Sequence, residues 1–161
     1  MAIITVGAFN AGVANNVIPQ TATLKLSVRS LDRDVRVLLE KRICELVHAQ
    51  AQSYAVTANI DYQRGYPVLV NTPGETEVAR EVALALVGAD NVVLQTEPLT
   101  ASEDFAFFLE KVPGCFINIG NGVGSVGGCM VHNAGYDFND RILSTGATYW
   151  VKLVERWLAK V

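Results

Sequence analysis

The chain has 161 residues, half of them hydrophobic, with a net charge of −3 and an isoelectric point near 5.3. This length and composition are sufficient for a sizeable buried core. Acidic and basic residues are interspersed, and no basic stripe is present to bind phosphates, so nucleic acid is not an expected partner. No apolar run approaches the roughly 20 residues of a membrane helix, and the N-terminus lacks a secretory signal pattern. We therefore expect a cytoplasmic protein without a membrane partner.

Cysteine usage fits the same compartment. Cys44, Cys115 and Cys129 are odd in number, widely spaced and without a CxxC pair. This pattern argues against a disulfide framework or a structural zinc knuckle and favours reduced thiols.

The first elements are predicted as an antiparallel pair of strands. Residues 21–29 place apolar side chains at every second position, which is typical of a half-buried strand. Residues 3–9 are the expected partner, because the intervening segment is rich in glycine, asparagine and proline.

A helix and a third strand are predicted next. Ser30 or Asp32 can cap a helix whose apolar residues recur at helical spacing over residues 35–47. Residues 56–62 then alternate between apolar and polar side chains, which predicts another one-sided strand. The predicted order is strand, strand, helix, strand.

The pattern changes near residue 70, where we predict a domain boundary. Thr72, Pro73 and Glu75 have the spacing of a helix start, with a capping threonine and proline at the first helical position. Further along, the patterns predict a helix capped by Ser102. The remaining predicted elements are short strands over residues 92–94 and 115–119 and a long closing helix over residues 143–158.

A glycine-rich segment, Gly122–Gly127, matches GxGxxG and follows a predicted strand. The context disfavours a dinucleotide site, because no helix opens at the last glycine to receive a phosphate. No later strand supplies the acid expected about 20 residues on. A cofactor-binding loop is therefore the less favoured interpretation.

Other candidate residues have ordinary structural explanations when taken singly. Cys129 and His132 could share a metal, but two ligands do not make a site, and a lone loop histidine usually bonds to backbone. Glu103 and its neighbour Asp104 suit the first turn of a helix through the helix dipole. Arg29 could bind a carboxylate in bidentate fashion, although arginines on the exposed face of a strand are commonly only solvated. Asn16 fits turn chemistry.

Six motifs taken together nevertheless resemble one family in their order and spacing, over nearly the whole chain. These motifs are Gly12-Val13-Ala14-Asn15-Asn16-Val17-Ile18-Pro19, Ser27-Val28-Arg29, Tyr66-Pro67, Ser102-Glu103-Asp104-Phe105, Val112-Pro113-Gly114 and His132-Asn133-Ala134-Gly135-Tyr136-Asp137-Phe138-Asn139-Asp140. The family is that of the zinc peptidases and amidohydrolases containing hippurate hydrolase, N-acyl-amino-acid hydrolases and auxin-conjugate hydrolases. One departure is Ala134, where relatives usually have proline.

The resemblance implies a mixed α+β and α/β fold class. Members have an α/β catalytic domain interrupted by a lid domain of four antiparallel strands and two helices, which commonly dimerises. By this resemblance, residues 2–70 form a partial lid and dimerisation domain. Residues 71–161 form the C-terminal part of the catalytic domain. A homodimer through the lid is expected.

The resemblance also implies roles for single residues. His132 matches a ligand of a pair of divalent metals, which would be zinc, manganese or cobalt. Asn16 and Arg29 match lid positions that bind the carboxylate end of the substrate or stabilise the transition state, sometimes across the dimer. Glu103 matches a position beside the metal site with a supporting role. The general-base glutamate and most metal ligands match no residue of this chain.

The expected function is therefore that of the C-terminal portion of a metal-dependent amidohydrolase that cleaves N-acyl or N-aroyl amino acids. One histidine cannot hold two metals tightly, so the chain alone is expected to be inactive and to bind no metal tightly. The alternative is a non-catalytic dimerisation or small-ligand-binding module. A weaker alternative is a nucleotide-binding protein that uses the loop over residues 120–128.

Overall fold

A computed structural model describes residues 1–123 and 128–158, which form an α+β chain. Its strands and helices are β1 (Ala2–Ala11), β2 (Ala22–Ser30), α1 (Arg33–Ser53), α2 (Pro73–Val87), α3 (Phe105–Leu109) and α4 (Leu143–Leu158). Short 3-10 turns occupy residues 89–91 and 140–142. The chain divides into a first unit, Met1–Leu69 with Glu97–Phe107, and a second unit, Val70–Thr96 with Phe108–Val161.

Among the described residues, no helix combines the length and apolar character needed to cross a membrane.

The predicted strand pair is confirmed, because β1 and β2 form an antiparallel hairpin. The register shifts by one residue at Gly7, which faces no partner, while Val6 lies opposite Leu26 and Phe9 lies opposite Leu24. Side chains alternate between faces along a strand, so three residues of regular strand would put Phe9 on the opposite face from Val6. The bulge at Gly7 corrects this phase and keeps Val6 and Phe9 on the same face as Leu24 and Leu26.

The structure shows which of the two candidate residues, Ser30 or Asp32, caps the start of α1. The Asp32 carboxylate accepts hydrogen bonds from the backbone N–H groups of Asp34 and Val35, each at 2.9 Å. Ser30 instead donates its hydroxyl to the Asp32 carbonyl oxygen at 2.8 Å. Asp32 is therefore the N-cap, and it satisfies two of the N–H groups that have no partner within the helix.

The third strand predicted over residues 56–62 is wrong, since these residues are assigned to neither helix nor strand. The alternation of their side chains reflects a surface with one half-buried face, and Ala58, Ile60 and Tyr62 are indeed less exposed than their neighbours. A strand also requires a backbone partner at ladder distance. Residues 56–62 have none within the part of the chain that the structure describes. The short strand over residues 92–94 is absent for the same reason.

The strand predicted over residues 115–119 is absent. In its place is a junction in which side chains make several of the hydrogen bonds that a paired strand would make. The Asn71 side-chain amide accepts from the Phe116 N–H at 2.8 Å and donates to the Phe116 carbonyl at 2.9 Å. The Thr72 N–H donates to the Gly114 carbonyl at 2.9 Å, and the Thr72 hydroxyl accepts from the Gly114 N–H at 3.1 Å. Four hydrogen bonds thus join residues 71–72 to residues 114–116.

This junction also explains why the predicted cap of α2 is only half right. Thr72 is the N-cap residue and Pro73 begins the helix, as predicted. Its hydroxyl, however, makes no hydrogen bond to the helix. The single Thr72 N–H is donated to Gly114 and is therefore not available to the Glu75 side chain, and the Thr72 hydroxyl accepts from Gly114 rather than from the helix.

The small core of the second unit lies between α2 and α4, and the predicted closing helix is confirmed by α4. Ala79, Val82 and Tyr149 are buried. The Tyr149 hydroxyl donates to the Ala79 carbonyl at 3.3 Å, so the phenol enters the core with its polar end paired. Burial raises the pKa of this phenol. At the helix surface, Arg156 and Glu81 form an ion pair at 2.9 Å.

The cap of α1 gives a direct test of the fold of the first unit. We expect Asp32→Ala to lower the free energy of unfolding by about 1 kcal/mol, because two backbone N–H groups lose their acceptor. Asp32→Asn keeps an acceptor oxygen and should cost much less. Urea unfolding followed by circular dichroism measures both changes. Equal destabilisation by the two variants would contradict the capping role.

Candidate functional site

A groove of about 1060 Å³ lies within the first unit. It is lined by β2, α1 and two irregular segments, residues 59–69 and 99–103. Half-buried apolar side chains and several charged groups share its walls. Grooves that combine an apolar surface with a few placed polar groups are the usual form of small-molecule sites.

Arg29 is held in the wall of this groove by its own unit. Its Nε donates to the Ser27 hydroxyl at 3.4 Å, and one terminal nitrogen donates to the Thr100 carbonyl oxygen. A guanidinium carries five N–H donors in a planar fork. The others make no hydrogen bond to any described residue, so part of the fork remains available for a carboxylate.

Glu103 lies on the same groove and is half-buried. Its Oε1 accepts from the backbone N–H of Phe105 at 3.3 Å, at the start of the short helix α3. The predicted cap Ser102 makes no such bond, and α3 begins only three residues later, at Phe105, where the Glu103 side chain supplies the acceptor. The structure therefore brings Arg29 and Glu103 to one groove and gives the glutamate a local structural contact.

Asn16 lies elsewhere in the first unit, on the exposed loop between β1 and β2. This loop begins at Gly12, whose φ of 70° is in the left-handed region. Pro19 packs across the loop, since a Cβ on Gly12 would lie 3.7 Å from the proline ring. Asn16 does not line the groove that holds Arg29 and Glu103.

A polar cluster that the sequence did not predict borders the groove. Arg36 donates to the Gly65 carbonyl at 2.7 Å, and Arg64 pairs with Glu40 at 2.6 Å. Burial raises the pKa of the Tyr62 phenol, and the Glu40 carboxylate raises it further. These residues occupy the polar positions of α1 and of the segment after it. Their periodicity is that of any solvated surface, so only the three-dimensional contact reveals the cluster.

His132 lies in the second unit, on an exposed loop. Its φ of 67° is in the left-handed region, which few residues other than glycine adopt, although histidine does so more often than most. Two turns surround it: the Asn133 N–H donates to the Met130 carbonyl at 3.3 Å, and the Tyr136 N–H donates to the Asn133 carbonyl at 2.9 Å. An uncommon backbone conformation of this kind persists only where the surroundings fix it.

Cys129 is exposed and lies close to the turn that follows His132. A Cβ placed on Gly135 would be 3.4 Å from the Cys129 sulfur and 3.3 Å from the Asn133 side-chain oxygen. The Asn133 side-chain oxygen also accepts from the Gly135 N–H at 2.8 Å. Glycine at position 135 therefore allows the turn to close tightly. Of the GxGxxG segment, residues 124–127 lie outside the described residues.

The donor chemistry of the described residues can be tested against a pair of metals. Across residues 1–123 and 128–158, no group of three or more histidine, cysteine, aspartate or glutamate side chains is placed to share a cation. The described residues therefore do not by themselves form a complete site for a binuclear metal centre.

Comparison with known proteins defines the class of this chain. The profile of Peptidase family M20/M25/M40 matches residues 3–156. Hippurate hydrolase of Campylobacter jejuni is 38% identical over 98% of this chain and 40% of its own length. N-acetyl-L-cysteine deacetylase of Bacillus subtilis is 35% identical over 74% of this chain and 28% of its own length. This chain belongs to Peptidase family M20/M25/M40.

Solved structures agree in fold. A dinuclear metal-binding M20 peptidase of Bacillus subtilis superposes with a TM-score of 0.78 at 24% identity, over 99% of this chain and 43% of its own. A protein of methicillin-resistant Staphylococcus aureus assigned as an aminohydrolase gives 0.77 at 28% identity, over 97% of this chain and 40% of its own. The chain spans about two fifths of the length of hippurate hydrolase and of these two structures.

Proposed function

We propose that this chain is the C-terminal portion of a metal-dependent amidohydrolase that cleaves the amide bond of N-acyl or N-aroyl amino acids. The observation that carries the proposal is the 38% identity to a hippurate hydrolase over 98% of the chain. In this proposal residues 2–70 belong to a lid domain and residues 71–161 to a catalytic domain. A cytoplasmic location is also proposed, supported by three free cysteines.

Each candidate residue has a role in the proposed enzyme. His132 is a metal ligand, and zinc, manganese and cobalt are the candidate metals. Asn16 and Arg29 are substrate contacts, either at the carboxylate end or at the reacting amide, and Glu103 has a supporting role. The anchoring of Arg29 by Ser27 and Thr100 supports this role, because a guanidinium that is already oriented loses less entropy when it binds a carboxylate.

The proposal predicts no hydrolysis by the isolated chain. Purified 161-residue protein should not cleave hippurate or a panel of N-acetyl amino acids above the blank, with or without zinc, manganese or cobalt. The reason is that the described residues provide no three-ligand group and the whole sequence has only two histidines. Amino acid release measured by chromatography is the assay. Metal-dependent turnover would contradict the proposal that most of the metal ligands match no residue of this chain.

Carboxylate recognition by Arg29 can be tested without turnover. Titration of hippurate into the chain, followed by NMR, should shift signals from the groove. Arg29→Ala should weaken that binding by about tenfold, because a charge-assisted hydrogen bond is lost. Arg42→Ala is the matched control, since Arg42 pairs with Glu45 at 2.7 Å and does not line the groove. Equal effects of the two variants, or no saturable shifts in the unaltered chain, would contradict the role of Arg29.

A second candidate function is a non-catalytic dimerisation or small-ligand-binding module, and one observation favours dimerisation. β1 pairs with β2 along one edge, and its other edge pairs with no strand among the described residues. An open strand edge presents unpaired N–H and carbonyl groups to a second chain. The edge of β1 that does not pair with β2 is 10 residues long, which is enough for such pairing.

The dimer is tested by adding charge to the open edge. If two copies pair through β1, Thr5→Lys brings two like charges together and should shift the monomer–dimer equilibrium toward monomer. Thr23→Lys adds the same charge to the same face of the hairpin, but on β2. Sedimentation equilibrium over a range of concentrations measures both. A monomeric unaltered chain, or equal dissociation by both variants, would contradict pairing through β1.

A further inference from the structure

Asn121 is joined to the segment after His132 through its side chain. Its side-chain nitrogen donates to the Asp137 carbonyl oxygen at 2.7 Å, and its side-chain oxygen accepts from the Asn139 N–H at 2.9 Å. One amide group therefore bonds the backbone at both ends of a three-residue stretch. An amide can do this because it carries both a donor and an acceptor.

Asn139 also bonds to Asn121 through its own side chain, and it bonds to the 3-10 turn before α4. Its side-chain nitrogen donates to the Asn121 carbonyl oxygen at 3.0 Å, while its side-chain oxygen accepts from the Arg141 N–H at 3.2 Å. Arg141 lies in the 3-10 turn that leads directly into α4. We name the reciprocal contact of Asn121 and Asn139 the asparagine clamp. It ties the loop to the beginning of the long helix.

Hydrogen-bonded turns connect the clamp to His132 along the chain. The turn through Asn133 ends at Tyr136, whose ring meets that of Phe138 edge-on with centroids 5.3 Å apart. Asp137, which follows Tyr136, is the first residue held by the clamp. His132 itself is exposed, and its left-handed backbone lies within this series of hydrogen-bonded turns.

We propose that Asn121 and Asn139 are positioning residues that fix the backbone conformation at His132. The inference rests on the proposed function in one respect, namely that His132 is a metal ligand whose orientation matters. Ligands that bind metal need partners that hold them in place, and loss of such partners commonly weakens sites by one to two orders of magnitude. Asparagines outside the ligand set supply that support here.

The chain offers a simple spectroscopic test, because His48 and His132 are its only histidines. His48 lies on α1 in the first unit and serves as an internal reference. Asn121→Ala should shift or multiply the His132 ring signals in NMR spectra of the 161-residue chain and leave those of His48 unchanged. Hydrogen exchange of the Asn139 amide should become faster by on the order of fivefold, because its acceptor is lost.

Two further variants separate the clamp from general destabilisation. Asn139→Asp keeps an oxygen for the Arg141 N–H but removes the donor to Asn121, so it should alter the His132 signals while α4 still begins normally. Asn91→Ala is the matched control, since Asn91 donates one hydrogen bond of 2.9 Å to the Val87 carbonyl elsewhere in the second unit. It should leave the His132 signals unchanged.

Unchanged His132 signals in both Asn121→Ala and Asn139→Asp would overturn the clamp, as would an equal effect of Asn91→Ala. The proposed function is tested separately by the hippurate titration, because the groove that holds Arg29 lies in the first unit. Failure of hippurate to bind there would count against the proposed function and leave the clamp in place, whereas unchanged His132 signals count against the clamp alone.

Discussion

Asparagine side chains supply hydrogen bonds on which the irregular segments of the second unit depend. The second unit has α2 and α4 as its long helices, and the segments between them belong to no sheet among the described residues. Their backbone groups still need partners. Asn71 pairs with both backbone groups of Phe116, and the asparagine clamp does the same for residues 137–139. Each amide offers a donor and an acceptor at the spacing of a peptide group, so it can replace one rung of a ladder.

Elements that depend on local pattern could be predicted from the sequence, and those that depend on a distant partner could not. The hairpin and α4 follow from side-chain periodicity, and α1 follows from periodicity and a nearby cap. The strands predicted over residues 56–62 and 115–119 have the side-chain pattern of a strand but no paired strand among the described residues, and no local window reveals this. The Gly7 bulge was readable in principle, because Val6 and Phe9 are out of phase for one regular strand.

The candidate site divides in the same way. Arg29 and Glu103 were singled out from motifs that resemble a family, since each alone looks like an ordinary surface residue. The two residues share one groove because segments about 70 residues apart in the chain are in contact. The sequence alone does not reveal such a contact. Asn121 was missed because an asparagine before a glycine is common in turns. Only the three-dimensional contact with Asn139 distinguishes it from other asparagines in loops.

In the proposed enzyme the two units solve different physical problems. Arg29 carries a permanent charge, so its unit must orient the guanidinium without neutralising it, and a hydroxyl and a carbonyl oxygen do this where a carboxylate would compete with the substrate. His132 must present a ring nitrogen from an exposed loop. Backbone hydrogen bonds to asparagine amides are directional and need no burial, so they can fix such a loop at the protein surface. In both units the supporting groups are neutral and polar, so they leave the charge of Arg29 free for the substrate and the ring of His132 free for the metal.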